Sequence, residues 1–330
     1  MTTLLIFIFT TSFVLTFFIK KIALKKAILD IPNKRSSHTT PTPRLGGLAI
    51  ALSWYLGISY LFINQEINSN LYYALLTGLI LVFVNFLDDL YNISFKIKLF
   101  FQSISTLLAL YFLGSLQIID FNFFILEQKI LLFILAFISI IWFINLFNFL
   151  DGIDGYAISE AIFLSCAIFL IFKINIFLIL LFACLGFLPW NWQKAKIFMG
   201  DAGSAFLGFT IIILMIYYQN EKIIPLINFI ILSAVFWFDA TLTLFTRLYN
   251  KKLINKAHRE HAYQKIIQCG FSHRKTVSYV MVTNIILFLL TYFSIKFPNL
   301  TIYIFIFILF FLYFIFKKIN LLFNNRFSKI

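Results

Sequence analysis

Apolar residues run along this chain in blocks of about 14–24, broken by short polar stretches, and predict about eleven membrane spans. The first six are Leu4–Ile19, Leu45–Phe62, Leu71–Leu87, Leu99–Leu113, Ile130–Phe147 and Ala157–Phe172. The remainder are Ile176–Pro189, Ala205–Tyr218, Ile223–Thr246, Thr276–Ser294 and Thr301–Ile315. Blocks of helical rather than strand length imply an all-α polytopic membrane protein, read as one domain over residues 1–330. Several blocks are short, so tilting or local bilayer thinning is expected. The first follows no basic n-region and precedes no small-residue cleavage site, which reads as a retained span. Between Gly114 and Lys129 a weak alternation predicts a short hairpin. The tail from Lys317 mixes bases with Leu321, Leu322, Phe323 and Phe327, and is expected to lie flat at the interface.

Charge orients these spans. One set of alternating loops holds Lys20, Lys21, Lys25, Lys26, Lys34, Arg35 and Arg44, and later Arg247, Lys251, Lys252, Lys256, Arg259, Lys265, Arg274 and Lys275. The opposite set has Lys129, Lys173, Lys222 and Lys296. The positive-inside rule then puts the N-terminus outside and the C-terminus in the cytoplasm. The four His and nearly every Asp fall on that same cytoplasmic side. Anchoring needs bases there but no acids, so a polar reaction site is expected.

Composition narrows the class. At 62% hydrophobic and 20% aromatic the chain is too apolar for a soluble surface. The net charge of +14 flanks apolar blocks, where it meets anionic lipid, so nucleic acid is not an expected partner. Cys166, Cys184 and Cys269 form no CxxC pair, which leaves neither a zinc site nor a disulfide framework.

Four polar clusters carry the candidate chemistry. The third span ends in Asn85-Phe-Leu-Asp88-Asp89-Leu-Tyr-Asn92. Neighbouring helical side chains diverge by about 100°, so one acid is expected to face the reaction centre and the other a base. The fifth span runs into Asn145-Leu-Phe-Asn148-Phe-Leu-Asp151-Gly152-Ile-Asp154-Gly155; its two Asn share a face, and its two Gly permit a broken backbone. Two Asn, two Asp and two Gly exceed what a helix cap requires. Met199-Gly200-Asp201-Ala-Gly203-Ser204 opens the eighth span, with glycines that let a backbone approach a phosphate at a helix start; an ordinary N-terminal helix charge is the plainer alternative. In Ala257-His258-Arg259-Glu260-His261 the two His are expected on one face of a helical turn beside Arg259, a set suited to a diphosphate, although a solvated basic loop would look the same. Asp239 is either functional or paired with a base. Asp and Asn without a full protein cage suit Mg²⁺, with Mn²⁺ as a substitute, and imply a phosphorylated substrate beside a lipid one.

Together these motifs resemble the polyprenyl-phosphate N-acetylhexosamine-1-phosphate transferases, membrane glycosyltransferase family 4. The resemblance rests on Asp30-Ile-Pro-Asn33, Arg35-Ser, His38 and Pro41-Thr-Pro43-Arg44-Leu-Gly46-Gly47, followed in order by the four clusters above. It implies transfer of a sugar-1-phosphate from a UDP-N-acetylhexosamine to undecaprenyl phosphate, with release of UMP, at the cytoplasmic face of a bacterial inner membrane. Carried over residue by residue, Asp88 or Asp89 would deprotonate or orient the lipid phosphate, and Asn148 and Asp201 would hold Mg²⁺. Asn145, Asp151 and Asp154 would shape the nucleotide pocket. His258, Arg259 and His261 would meet the diphosphate or sugar, and Arg44 would help gather phosphates. Many members of the family dimerise, so a homodimer is possible on the resemblance, though no feature of the chain requires one.

The branch acting on the muramyl-pentapeptide nucleotide usually carries consecutive His in the late loop. Here Arg259 and Glu260 intervene, as in the branch that initiates O-antigen and capsule synthesis. A transporter is the competing non-enzyme reading, and it would place its acids at mid-bilayer. A CDP-alcohol phosphotransferase would need a D-G-x-x-A-R signature, which Asp151-Gly152-Ile153-Asp154 does not continue.

Overall fold

A computed structural model describes residues 1–32, 36–120, 125–252 and 258–327. Asn33, Lys34, Arg35, Lys256 and Ala257 of the sequence motifs lie outside these residues. The chain divides into two compact units, one of residues 1–31 and 40–226 and one of residues 32–39 and 227–330.

In the first unit α1 (Thr2–Lys25) leads into a two-stranded antiparallel pair, β1 (Leu29–Asp30) with β2 (Thr42–Pro43), and then α2 (Gly47–Ile63). The expected third span is α3 (Ser69–Leu76) and α4 (Gly78–Tyr91), followed by α5 (Phe95–Leu113). The expected hairpin is present as β3 (Ile119–Asp120) against β4 (Ile125–Leu126). Next come α6 (Lys129–Leu150), α7 (Tyr156–Phe172), α8 (Ile176–Asn191) and α9 (Gly200–Asn220).

The helix α9 is the axis of this unit and packs on α2, α4 and α6. Every residue from Ala202 to Ile216 is buried, as expected of a helix apolar on all sides. By contrast α6 exposes Ile130, Ile134 and Ile138, a face suited to lipid. Small residues bring the backbones close. A Cβ on Gly47 of α2 would lie 2.2 Å from Gly203 Cα of α9, and one on Gly208 would lie 2.8 Å from the Phe143 carbonyl of α6.

The second unit holds α10 (Leu226–Leu232), α11 (Ala234–Tyr249), α12 (Ala262–Gln268), α13 (His273–Lys296) and α14 (Thr301–Phe327). Ile227, Ile231, Leu287, Ile304 and Ile308 form its apolar core. The expected unbroken span Ile223–Thr246 is instead α10 and α11, bent by 78°. The carbonyls near the bend find side-chain donors: Ser233 Oγ bonds the Phe229 carbonyl at 2.8 Å, and Trp237 Nε1 bonds that of Ile230 at 2.8 Å. Those bonds make a broken helix tolerable in lipid. The tail expected to lie flat is the continuation of α14, because no Gly or Pro interrupts it between Thr301 and Phe327.

Seven helices among the described residues are long and apolar enough to cross a membrane, or eight if the bent pair is one span. Three shorter apolar helices, α2, α7 and α8, correspond to the other expected spans. A count of eleven requires that these three cross as well.

Candidate active site

The start of α9 gathers distant parts of the first unit. Gly200 sits in the left-handed region at φ +76°. The N–H groups that follow have no helical acceptor, and acids take them. The Asp201 N–H donates to Asp89 Oδ1 at 3.4 Å, the Ala202 N–H also donates to Asp89, and the Gly200 N–H donates to Asp151. Two carboxylates, those of Asp89 and Asp151, therefore sit at this helix start. Gly200 has a second role, because a Cβ there would fall 2.6 Å from Asp89 Oδ2. Gly203 serves the close packing of α9 on α2.

The adjacent acids diverge as expected. Asp88 turns to a base, Lys98 of α5, with Oδ2 2.7 Å from its Nζ. The same ammonium lies 2.9 Å from Asp201 Oδ2, so it bridges the ends of α4 and α9. The sequence reading missed Lys98. Its signal was the short link of residues 92–94 between α4 and α5, which brings the first turn of α5 beside the last turn of α4.

Arg44 is held by the strand pair and contacts Asp30 Oδ1 at 2.8 Å. Burial alone would lower its pKa, but the Asp30 hydrogen bond and the charges of Asp30, Asp89 and Asp201 outweigh this and raise it. The glycines after it tie the loop to the approach of α9. The Gly46 N–H donates to the Phe198 carbonyl at 2.9 Å and the Gly47 N–H to that of Met199 at 2.8 Å.

Asn145 and Asn148 share a face of α6 yet reach different helices. Asn145 Nδ2 donates to Gln102 Oε1 of α5 at 3.0 Å, and Asn148 Oδ1 accepts from Ser204 Oγ of α9 at 3.1 Å. Asp151 follows the last residue of α6. Loss of solvent, then the charges of Asp201 and Asp89, pushes its carboxyl well above the usual carboxylate range, against the Gly200 N–H. Asp154 contacts the backbone that follows α8. Its Oδ2 accepts the Ala195 N–H at 3.2 Å, and the Gly155 N–H donates to Asn191 Oδ1 at 3.1 Å. These two residues brace the segment after α8, so Asp154 shapes its surroundings through backbone.

In the second unit His258 and His261 do not share a helical face, because the helix begins only at Ala262. Their rings still approach, with centroids 4.9 Å apart. Asp239 of α11 caps α12, accepting the Ala262 N–H at 2.9 and 3.0 Å on its two oxygens. Of the two expected readings of Asp239, functional or paired with a base, the ion pair is not formed among the described residues, and a backbone contact anchors the loop instead. Glu260 is the base-paired acid, with Oε1 2.6 Å from Arg247 Nη1 and 3.2 Å from Lys252 Nζ. Burial, then the charges of His261 and Arg247, pushes His258 down to about 4. Burial, then Lys265 and Arg247, pushes His261 down to about 4. Both imidazoles are neutral at pH 7 without a ligand, and with His258 Nδ1 accepting the Glu260 N–H at 3.4 Å and the His261 side chain accepting from the Gln264 backbone, each offers one N–H donor rather than two.

The charge of the first unit's cluster is unbalanced. Asp88, Asp89, Asp151 and Asp201 interact with one another, and among the described residues the cations that reach them are Lys98 and Arg44, the latter shared with Asp30. Asp89 Oδ2 is also buried without a hydrogen-bond partner. Surplus carboxylate oxygen and a partnerless buried oxygen fit a hard divalent cation. No group of three or more His, Cys, Asp or Glu among the described residues forms a complete cage, and Mg²⁺ commonly takes one or two carboxylates with substrate phosphates instead.

The description "Glycosyl transferase family 4" matches residues 71–219, within the first unit and across Asp88, Asp89, Asn145, Asn148, Asp151, Asp154 and Asp201. A Bacillus subtilis (strain 168) protein, a probable undecaprenyl-phosphate N-acetylglucosaminyl 1-phosphate transferase, is 30% identical over 318 residues, covering 92% of this chain and 86% of that one. The chain belongs to glycosyl transferase family 4. An Escherichia coli (strain K12) relative, an undecaprenyl-phosphate alpha-N-acetylglucosaminyl 1-phosphate transferase, is 29% identical over 300 residues, covering 84% of this family 4 chain and 78% of its own. A Mycobacterium leprae (strain TN) decaprenyl-phosphate N-acetylglucosaminephosphotransferase is 27% identical over 292 residues, with 74% and 71% covered.

Proposed function

We propose that this family 4 protein transfers N-acetylhexosamine-1-phosphate from a UDP-sugar, UDP-GlcNAc or a close N-acetyl relative, to undecaprenyl phosphate. UMP is the second product, and the reaction starts a cell-surface polysaccharide at the cytoplasmic face of the inner membrane. The observation that carries this reading is the unbalanced carboxylate cluster at the start of α9, bridged by Lys98. Its acids sit at helix ends, at the close of α4, after α6 and at the opening of α9. That placement suits a membrane-edge reaction better than the mid-bilayer acids of an ion-coupled transporter.

A phosphate oxygen of the lipid attacks the β-phosphorus of the UDP-sugar, a new P–O bond forms, and the bond to UMP breaks. Asp88 and Asp89 orient the lipid phosphate and take any proton it carries. Lys98 keeps Asp88 and Asp201 in register and supplies positive charge beside the attacking group. Asp201, Asn148 and the partnerless Oδ2 of Asp89 are the oxygens that would hold Mg²⁺. When bound, Mg²⁺ supplies charge neutralisation on the diphosphate. Asn145, Asp151 and Asp154 border the nucleotide, and Arg44 adds a fixed positive charge. In the second unit, taken by itself, Arg259 carries a fork of N–H donors beside the neutral His258 and His261, a set suited to a phosphate or sugar ligand. Positioning and preorganised charge carry such a reaction.

The test is UMP release by purified protein. Release should require both undecaprenyl phosphate and Mg²⁺, and it should fall in Asp88→Asn, Asp89→Asn and Asp201→Asn proteins that still insert in membranes. Normal turnover in all three would remove the assigned site. A panel of UDP-sugars that includes the muramyl-pentapeptide nucleotide separates the proposed donor from the peptidoglycan alternative.

A further inference from the structure

The second unit contains a cavity of about 530 Å³ between the polar ends of α11 and α14, closed on a third side by α12. The helix α11 presents Thr243, Thr246 and Asn250 to it, and α14 presents Phe316, Asn320, Phe323 and Asn324. These positions recur at three and four residues, so each set is one face of its helix. Facing helices in a membrane usually fill such a seam with apolar or small residues. Here amides and hydroxyls line it, at the level where α14 acquires its first charges, Lys317 and Lys318.

Two lysines also line the cavity. Lys265 of α12 donates to Asn320 Oδ1 at 2.6 Å and lies over the Phe316 ring, and no carboxylate forms an ion pair with it among the described residues. Lys252 reaches Glu260 at 3.2 Å, but Glu260 is already engaged by Arg247 at 2.6 Å. Asp239, the other acid near Lys265, accepts the Ala262 N–H and does not line the cavity. Among the described residues that line the cavity, two lysines therefore face one carboxylate, Glu260, a surplus of one positive charge, which is the charge that a phosphodiester cancels. The volume is in the range of about 300–1,000 Å³ usual for small-ligand sites. Phe316 and Phe323 give the cavity an apolar rim beside a lipid-facing stretch that includes Phe310, Tyr313 and Phe314.

We propose that this cavity holds the phosphodiester headgroup of an anionic bilayer phospholipid, with Lys265 and Lys252 on the phosphate, the asparagines on the headgroup hydroxyls, and the acyl chains along α14. Basic pockets between membrane helices take such headgroups at the cytoplasmic leaflet. The site would be separate in chemistry from the sugar-transfer reaction, since it calls for neither a nucleotide nor a polyprenyl chain.

The test uses the full chain, delipidated in neutral detergent and then exposed to phosphatidylglycerol, phosphatidylcholine or inorganic phosphate. Retained lipid is counted by native mass spectrometry and binding is followed by thermal shift. Phosphatidylglycerol should be retained and should raise the unfolding temperature, phosphatidylcholine should do neither, and inorganic phosphate alone should give a much smaller shift. In Lys252→Gln/Lys265→Gln, retention should weaken by roughly thirtyfold, the effect of two interfacial lysines. Asn324→Phe, which fills the cavity and leaves both lysines, should lose retention too and keeps the test decisive if the double variant misfolds. Equal retention of both lipids, retention unchanged in either folded variant, or a phosphate shift equal to that of phosphatidylglycerol would overturn the proposal. UMP release is read separately, so a failure here leaves the transferase reading standing.

Discussion

The two units treat their acids in opposite ways. In the second, Asp239 and Glu260 are consumed by local structure: one caps α12 and the other is clamped by Arg247 and Lys252. In the first, Asp88, Asp89, Asp151 and Asp201 crowd one helix start with too few cations and a partnerless oxygen on Asp89. A satisfied acid anchors a loop. A crowded, under-neutralised set stores a demand for positive charge, which is what a metal-bound diphosphate chemistry would use. The histidines sharpen the contrast, since burial and neighbouring cations favour their uncharged form.

The largest expected break in this contrast comes from Asp89→Asn or Asp201→Asn. Each should lower the rate of UMP release by at least about a hundredfold, the scale of losing one preorganised electrostatic group, while membrane insertion persists. Lys98→Gln should follow, with a loss of roughly tenfold to a hundredfold, because Asp88 and Asp201 would lose their shared counter-ion. A lysine at that position with only a bilayer-anchoring role would leave the rate untouched. Gly200→Ala tests the geometry rather than the charge. The positive φ and the approach to Asp89 should cost about 1–3 kcal/mol, read as a lowered unfolding temperature together with lowered turnover.

Smaller effects belong to the second unit. His261→Ala should raise KM for the nucleotide sugar more than it lowers kcat, and unchanged kinetics would return that loop to a purely structural part. His258 and His261 are pushed down to about 4, whereas an unfolded His titrates near 6.5. Between those values the unfolded chain binds more protons, so stability should be full above about pH 6.5 and fall as the pH drops toward 4. Thermal unfolding across that range should show the slope, and a His258→Gln/His261→Gln protein should flatten it. Asp239→Ala should cost about 1–2 kcal/mol through the lost cap on α12.

The sequence alone determined the all-helical membrane class, the positions of nearly all the apolar helices, the hairpin between Gly114 and Lys129, and the set of acids worth testing. These follow from hydropathy and spacing, which act over a few residues at a time. It could not say that Asp239 is a cap, that Gly203 is a packing contact, that the span after Ile223 bends by 78°, or that Lys98 joins Asp88 to Asp201. Each of those depends on which backbone group or charge lies opposite, often across a hundred residues of chain. Tertiary packing decides that, of α2, α4, α5 and α6 around α9 in the first unit and of α11 and α12 against α14 in the second, because a carboxylate finds its partner by distance in space and not by separation along the sequence.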